Sequence, residues 1–254
     1  MDRSVQFILG VIVSCKGLSV DGDVPALIER AKELCDALTR RLPTTHSPAA
    51  HQSFVAANGR VIVAKIPTKL ATVLGALAWR AKELADLSHE LFRRDHLVPA
   101  IILTRALMES AALLYTVFKK TTVSIEAREL RTIDEYLVRC LAGSRINAND
   151  PQSPNVLTAV QHLEKEDGCD GFLALYETLC EFAHPNSLGT FYAYADYNEL
   201  DRRVSFGPGR GLTEPNDAAF AAVFALEVLI SFYDKTSALL PVVSALSAEL
   251  YDDA

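Results

Sequence analysis

Two groups of ionisable side chains at helical spacing could do chemistry in this 254-residue chain. The first is Arg105 and Glu109, the only charged residues between His96 and Lys119. A spacing of i, i+4 puts them on one helix face. Apolar residues surround them, so the pair reads as an internal ion pair or as the floor of a cleft. The second is "YETLCEFAHPN", residues 176–186, in which Glu177, Glu181 and His184 project within about 60° of one another on a helix. Pro185 disfavours helical geometry at His184, which places the imidazole at a helix C-terminus. There the dipole and two carboxylates favour its protonated form. The same stripe also reads as the wet face of an amphipathic helix, with Tyr176, Leu179, Cys180 and Phe182 on the apolar side.

Glu181-Phe-Ala-His184 has the Glu-x-x-His spacing of carboxylate-bridged di-metal bundles, and Asp86-Leu-Ser-His89 nearly repeats it. Glu227, the only charge between Asp217 and Asp234, adds a carboxylate on a further helix. A metal site would draw on Glu109, Glu181, His184 and Glu227. Alternatively, Arg105 is a partner for Glu227 in the core. No metal or other cofactor is specified by the sequence itself. No GxGxxG, Walker-type loop, GxSxG elbow or HExxH is present, and "GPGRG" at 207–211 precedes no strand–helix phosphate unit.

The elements that must position these residues are helical. Periodicity predicts helices over about 24–41 (entered at Asp23), 68–94, 97–119, 124–142, 154–166, 171–184, 216–237 and 238–251, the last broken near Pro241. "GRVIVAKIP" at 59–67 is β-branched and reads as an extended connector or short strand. "GSRINANDPQSPN" is a loop, and 190–197 with 202–206 reads as a β-hairpin. The fold class is therefore an all-α bundle with a hairpin insertion near 190–207. The chain reads as a single helical domain over 1–254. Within it, 24–67 is an N-terminal extension at the periphery, 68–186 the core, 187–212 a hairpin arm and 213–254 the C-terminal helices.

Composition narrows the partners. Half the residues are apolar and the net charge is −7, which disfavours nucleic acid unless a local basic patch exists. Arg40-Arg41, Arg93-Arg94, Lys119-Lys120 and Arg202-Arg203 are isolated pairs in sequence. Five scattered cysteines without a CxxC pair indicate a reducing compartment. Residues 1–15 loosely resemble a lipoprotein leader, but Asp2 and Arg3 cancel and the apolar run is short, so a cytoplasmic location is expected. The window 97–118 is long enough to span a bilayer, yet Arg105 and Glu109 would each cost about 2.5–3.5 kcal/mol at its centre, so no membrane partner is expected.

"LTRALMESAALLYTVF" (103–118) with "YETLCEFAHPN" (176–186) resembles a group of bacterial proteins that have an Arg-x-x-x-Glu helix followed by a Tyr-x-x-Leu-(Ser/Cys)-x-x-x-His helix. That group is similar to the HEPN superfamily of helical bundles, many of them RNases in toxin–antitoxin and phage-defence systems. The resemblance covers 68–186. It implies a polar site at Arg105, Glu109, Glu181 and His184, a homodimer, and an RNA-associated or interaction role in stress or defence. The family's arginine four to six positions before the histidine is missing, since Thr178, Leu179 and Cys180 stand there. The nuclease-type site the resemblance implies is thus a degenerate one. Beside it stand the di-metal enzyme and a purely structural or partner-binding bundle whose internal charges fix helix register.

Overall fold

A computed structural model describes residues 24–45, 53–55, 61–63, 65–208 and 216–252. The leader-like residues 1–15, the Asp23 cap and most of "GPGRG" lie outside them. The described chain is an all-α bundle with a β-hairpin insertion. Its α-helices are α1 (Val24–Thr39), α2 (Lys65–Arg93), α3 (Leu97–Glu126), α4 (Arg131–Ala142), α5 (Val156–Leu163), α6 (Phe172–Ala183) and α7 (Asn216–Asp252). A short antiparallel pair, β1 (Ser53–Val55) with β2 (Val61–Val63), precedes α2. A π-helical turn (Ser187–Tyr192) leads into the hairpin β3 (Ala195–Asn198) and β4 (Arg203–Phe206).

α3 is the central element, packed by α2, α4, α5, α6 and α7. Ala100, Leu107, Met108, Ala111, Ala112, Leu114 and Val117 are fully buried on it. Small residues among them let neighbouring backbones approach, and larger ones fill the gaps. α3 is long and apolar enough to cross a membrane by composition, and half of that window is buried inside the bundle. The long α7 covers α3, with Phe232 packed edge-on against Tyr115 at 5.0 Å between ring centroids. One buried polar contact, Ser88 Oγ to Thr104 Oγ1 at 2.8 Å, ties α2 to α3.

Three local expectations are corrected. Ser124 does not open a helix: it is buried inside α3, which runs on because Thr121 and Thr122 bond back to Val117 O (2.7 Å) and Phe118 O (3.1 Å). The break comes at Arg128, with φ of 50°, and Glu129 then accepts from the Arg131 amide and from Thr132 Oγ1 (3.0 Å) at the start of α4. Pro241 does not divide the C-terminal segment. α7 passes through it, and Val243 and Leu246 stay buried beyond, so core packing outweighs the lost hydrogen bond. The segment from residue 24 is not peripheral either, since α1 packs on α2 and α7 with Leu38 fully buried.

Candidate functional site

α3 and α6 bring three side chains to one point. Arg105 Nη2 lies 3.1 Å from Glu109 Oε1 across one helical turn, as the spacing predicts. From α6, the Tyr176 hydroxyl donates to Glu109 Oε1 at 3.0 Å and accepts from Arg105 Nη2 at 3.3 Å. The guanidinium also sits over the Tyr176 ring, 5.4 Å from its centroid. Burial pushes the Tyr176 phenol up to about 12, and Glu109 adds to that while Arg105 opposes it. Burial works against the Arg105 charge, but Tyr176 and Glu109 outweigh it and its pKa is raised. The result is a neutral phenol holding a charged pair in place. Arg105 Nε is buried without a protein partner.

Tyr176 is the participant that periodicity assigned only to the apolar side. Its ring is indeed buried, and just the hydroxyl reaches the pair. The signal that could have found it is chemical: a buried tyrosine needs a partner for its O–H, and Glu109 on a neighbouring apolar helix offered one.

The three groups line a cleft of about 1110 Å³ whose far wall is the loop 143–155. That loop is built. Gly143 passes so close to α4 that a Cβ would stand 2.2 Å from Arg139 O and 2.7 Å from Ser153 Cα. Ser144 pairs with Gln152 in an isolated parallel bridge, its amide 2.9 Å from Pro151 O. Arg139 Nε reaches across from α4 to Gln152 O at 2.8 Å. The wall therefore presents Arg145, Asn147, Gln152, Ser153 and Asn155 to the cleft, opposite Arg80 on α2.

A second cavity of about 480 Å³ meets the first at Arg139 and Asn155. Lys119, Lys120, His162 and Lys165 line it. Together the two hold four arginines and three lysines against two lining carboxylates, Glu109 and Asp150. Glu166 bonds Lys119 at 3.2 Å beside the second. Arg80, Arg145, Lys120 and Lys165 belong to none of the ion pairs found among the described residues. The isolated cations of the sequence thus converge on one groove of an acidic protein.

The remaining candidates lie elsewhere. Glu181 and His184 are exposed and line neither cavity. As Pro185 dictates, His184 is extended, with ψ of 147°. Glu181 accepts from Asn186 Nδ2 at 2.7 Å, and Asn186 Oδ1 accepts from the Gly189 amide at 2.9 Å. Gly189 has no room for a Cβ, which would stand 2.1 Å from His184 O. His184-Pro185-Asn186 is therefore the junction that turns α6 into the π-helical turn, with Glu181 as its anchor.

Glu227 is neither buried nor joined to Arg105. It pairs with Arg30 of α1 at 3.1 Å on the bundle surface. Asp86 accepts from Lys82 and from the buried Cys35 thiol at 2.8 Å, so it is engaged away from His89. The set Glu109, Glu181, His184 and Glu227 is not assembled: among the described residues no three His, Cys, Asp or Glu side chains come together as metal ligands. No family model, curated protein or solved structure matches the chain.

Proposed function

We propose that this bundle is a HEPN-like RNA-binding module, and that the groove running from Arg80 and Arg145 past Arg105 to Lys120 and Lys165 seats a single-stranded RNA. The carrying observation is the convergence of seven arginines and lysines on one groove in a chain of net charge −7. Such a field attracts phosphates while the rest of the surface repels them. The polar wall Asn147, Gln152, Ser153 and Asn155 supplies the donors and acceptors that single-stranded bases offer their edges to. Arg105 serves as a positioned cation, its spare Nε–H facing a site where phosphate oxygen is the natural acceptor.

The role is binding rather than cleavage. A HEPN-type cut needs arginine and histidine at one phosphate, and His184 lines neither cavity.

The test is fluorescence anisotropy with a labelled oligouridylate of about 12 nucleotides. Four cations outside ion pairs set a slope of log affinity against log salt near −2.8, about a 50-fold loss between 50 and 200 mM salt. Replacing Lys120 and Lys165 together by Glu should abolish binding at low salt. An affinity that ignores salt, or survives that double replacement, overturns the reading.

A further inference from the structure

The hairpin carries a second, independent surface. Its register opposes Ala195 to Phe206 and Tyr197 to Val204, and opposes Asp196 to Ser205 and Asn198 to Arg203. Directly opposed residues share a face and alternate along each strand. One face is therefore Ala195, Tyr197, Val204 and Phe206, wholly apolar in its side chains apart from one phenol. The other is Asp196, Asn198, Arg203 and Ser205, wholly polar.

This is the pattern of a sheet with one side meant for burial, yet the apolar side is open. Phe206 is 77% exposed, Tyr197 48% and Val204 43%. All four residues of β4 are exposed. Phe191, Tyr192 and Tyr194, immediately before the arm, are exposed as well. The bundle does not use this face: β3 packs on the π-helical turn, and that turn packs on α6. A two-stranded hairpin this short is marginal alone in water, and needs further strands or a packed face. Among the described residues, neither outer edge of the pair meets another strand.

We propose that the arm packs against the same arm of a second copy of this chain, apolar face to apolar face about a two-fold axis. Three features select a second copy. The face is self-complementary in the sense a two-fold contact requires, because it carries no formal charge to be set against its own image. The arm's charges, Asp196 and Arg203, lie on the opposite face, so they stay in water when the apolar faces meet. The area also suffices. At about 200 Å² per aromatic side chain, the exposed shares of the five aromatics give roughly 500 Å² per copy, and two copies reach about 1,000 Å², where specific interfaces begin.

The dimer has a signature opposite to that of the groove. Two chains of net charge −7 repel one another, so salt tightens an apolar contact between them while it weakens phosphate binding.

Sedimentation velocity on the full chain tests this, at protein concentrations up to about 100 µM. Twice the 27.8 kDa chain mass is expected, with association strengthened on going from low to high salt. Tyr197→Asp and Phe206→Asp should each weaken it at least 100-fold, whereas Arg203→Ser on the polar face should change it less than threefold. Hydrogen exchange of the wild type provides a reading that needs no variant: amides of 195–206 should gain protection as concentration rises. A wild type that stays monomeric, whatever else covers the face, overturns the proposal. So does a dimer that tolerates Tyr197→Asp and Phe206→Asp together, or arm amides indifferent to concentration.

Discussion

Replacing Tyr176 with Phe removes a single oxygen and keeps the ring that α6 buries. That oxygen makes two bonds, donating to Glu109 at 3.0 Å and accepting from Arg105 at 3.3 Å. A hydrogen bond to a charged group contributes about 1.5–3 kcal/mol net. The two charged side chains are 31% and 22% exposed to the cleft, so water can replace part of what they lose. They also keep each other at 3.1 Å. The loss therefore falls at the low end, about 1.5 kcal/mol, or a Tm lower by about 3–6 °C for a domain of this size. Urea unfolding at neutral pH measures it, and a cycle with Glu109→Gln isolates the contact. The double variant should fall short of additivity by about 1 kcal/mol, since the two residues share one bond. Strict additivity, or a Tyr176→Phe protein as stable as wild type, would refute the triad and leave Arg105 and Glu109 as an ordinary pair in a wet cleft.

Glu227→Ala should cost no more than about 1 kcal/mol in the same measurement, because Arg30 and Glu227 meet as a surface pair with side chains 50% and 38% exposed. A loss of several kcal/mol would place Glu227 in the core instead. Gly143→Ala should destabilise by about 1–3 kcal/mol and weaken oligonucleotide binding, since a methyl 2.2 Å from Arg139 O forces the loop wall away from α4. Unchanged binding would detach that wall from the site. Stability should be flat from neutral pH to about 9 and fall above it. Burial pushes the thiols of Cys35 up to about 12 and of Cys140 and Cys169 up to about 11, and the Tyr176 phenol up to about 12. The unfolded chain then ionises first, so stability present below the ordinary thiol and phenol values is lost as pH rises toward these. Urea midpoints that do not move between pH 8 and 11 would contradict this burial.

What could be read along the chain was whatever is local to one helix. The Arg105–Glu109 contact follows from a spacing of four, and the extended His184 from the proline after it. The hairpin follows from β-prone runs on either side of a polar turn. Contacts between helices were not legible. A lone Glu227 in an apolar stretch has the same pattern whether its helix turns that position inward or toward the surface, and only the position of α1 with Arg30 decides. Pro241 and Ser124 carry breaker and cap chemistry, but each sits where packing on the bundle holds the helix. The Glu181–His184 stripe has site chemistry at site spacing, yet Asn186 and Gly189 make it a chain reversal.

The groove shows most clearly why charge has to be read in three dimensions. Its cations come from α2, α3, α4, α5 and the loop before α5, at positions 80, 105, 119, 120, 139, 145 and 165. No window of sequence holds more than two of them in succession. α3 is the reason they meet: it carries Arg105 at one cavity and Lys119 and Lys120, four turns on, at the other. α4 then lies between the two and lends Arg139 to both. A net charge of −7 argues against nucleic acid only if the charges are mixed evenly over the surface. Here they are sorted, and that sorting supports a phosphate-bearing ligand more strongly than the total opposes it. Arg139 is held by the loop carbonyls and Arg105 by Glu109 and Tyr176, so both cations are positioned in advance. Positive charge fixed this way costs less to order when a ligand arrives than charge on free side chains does.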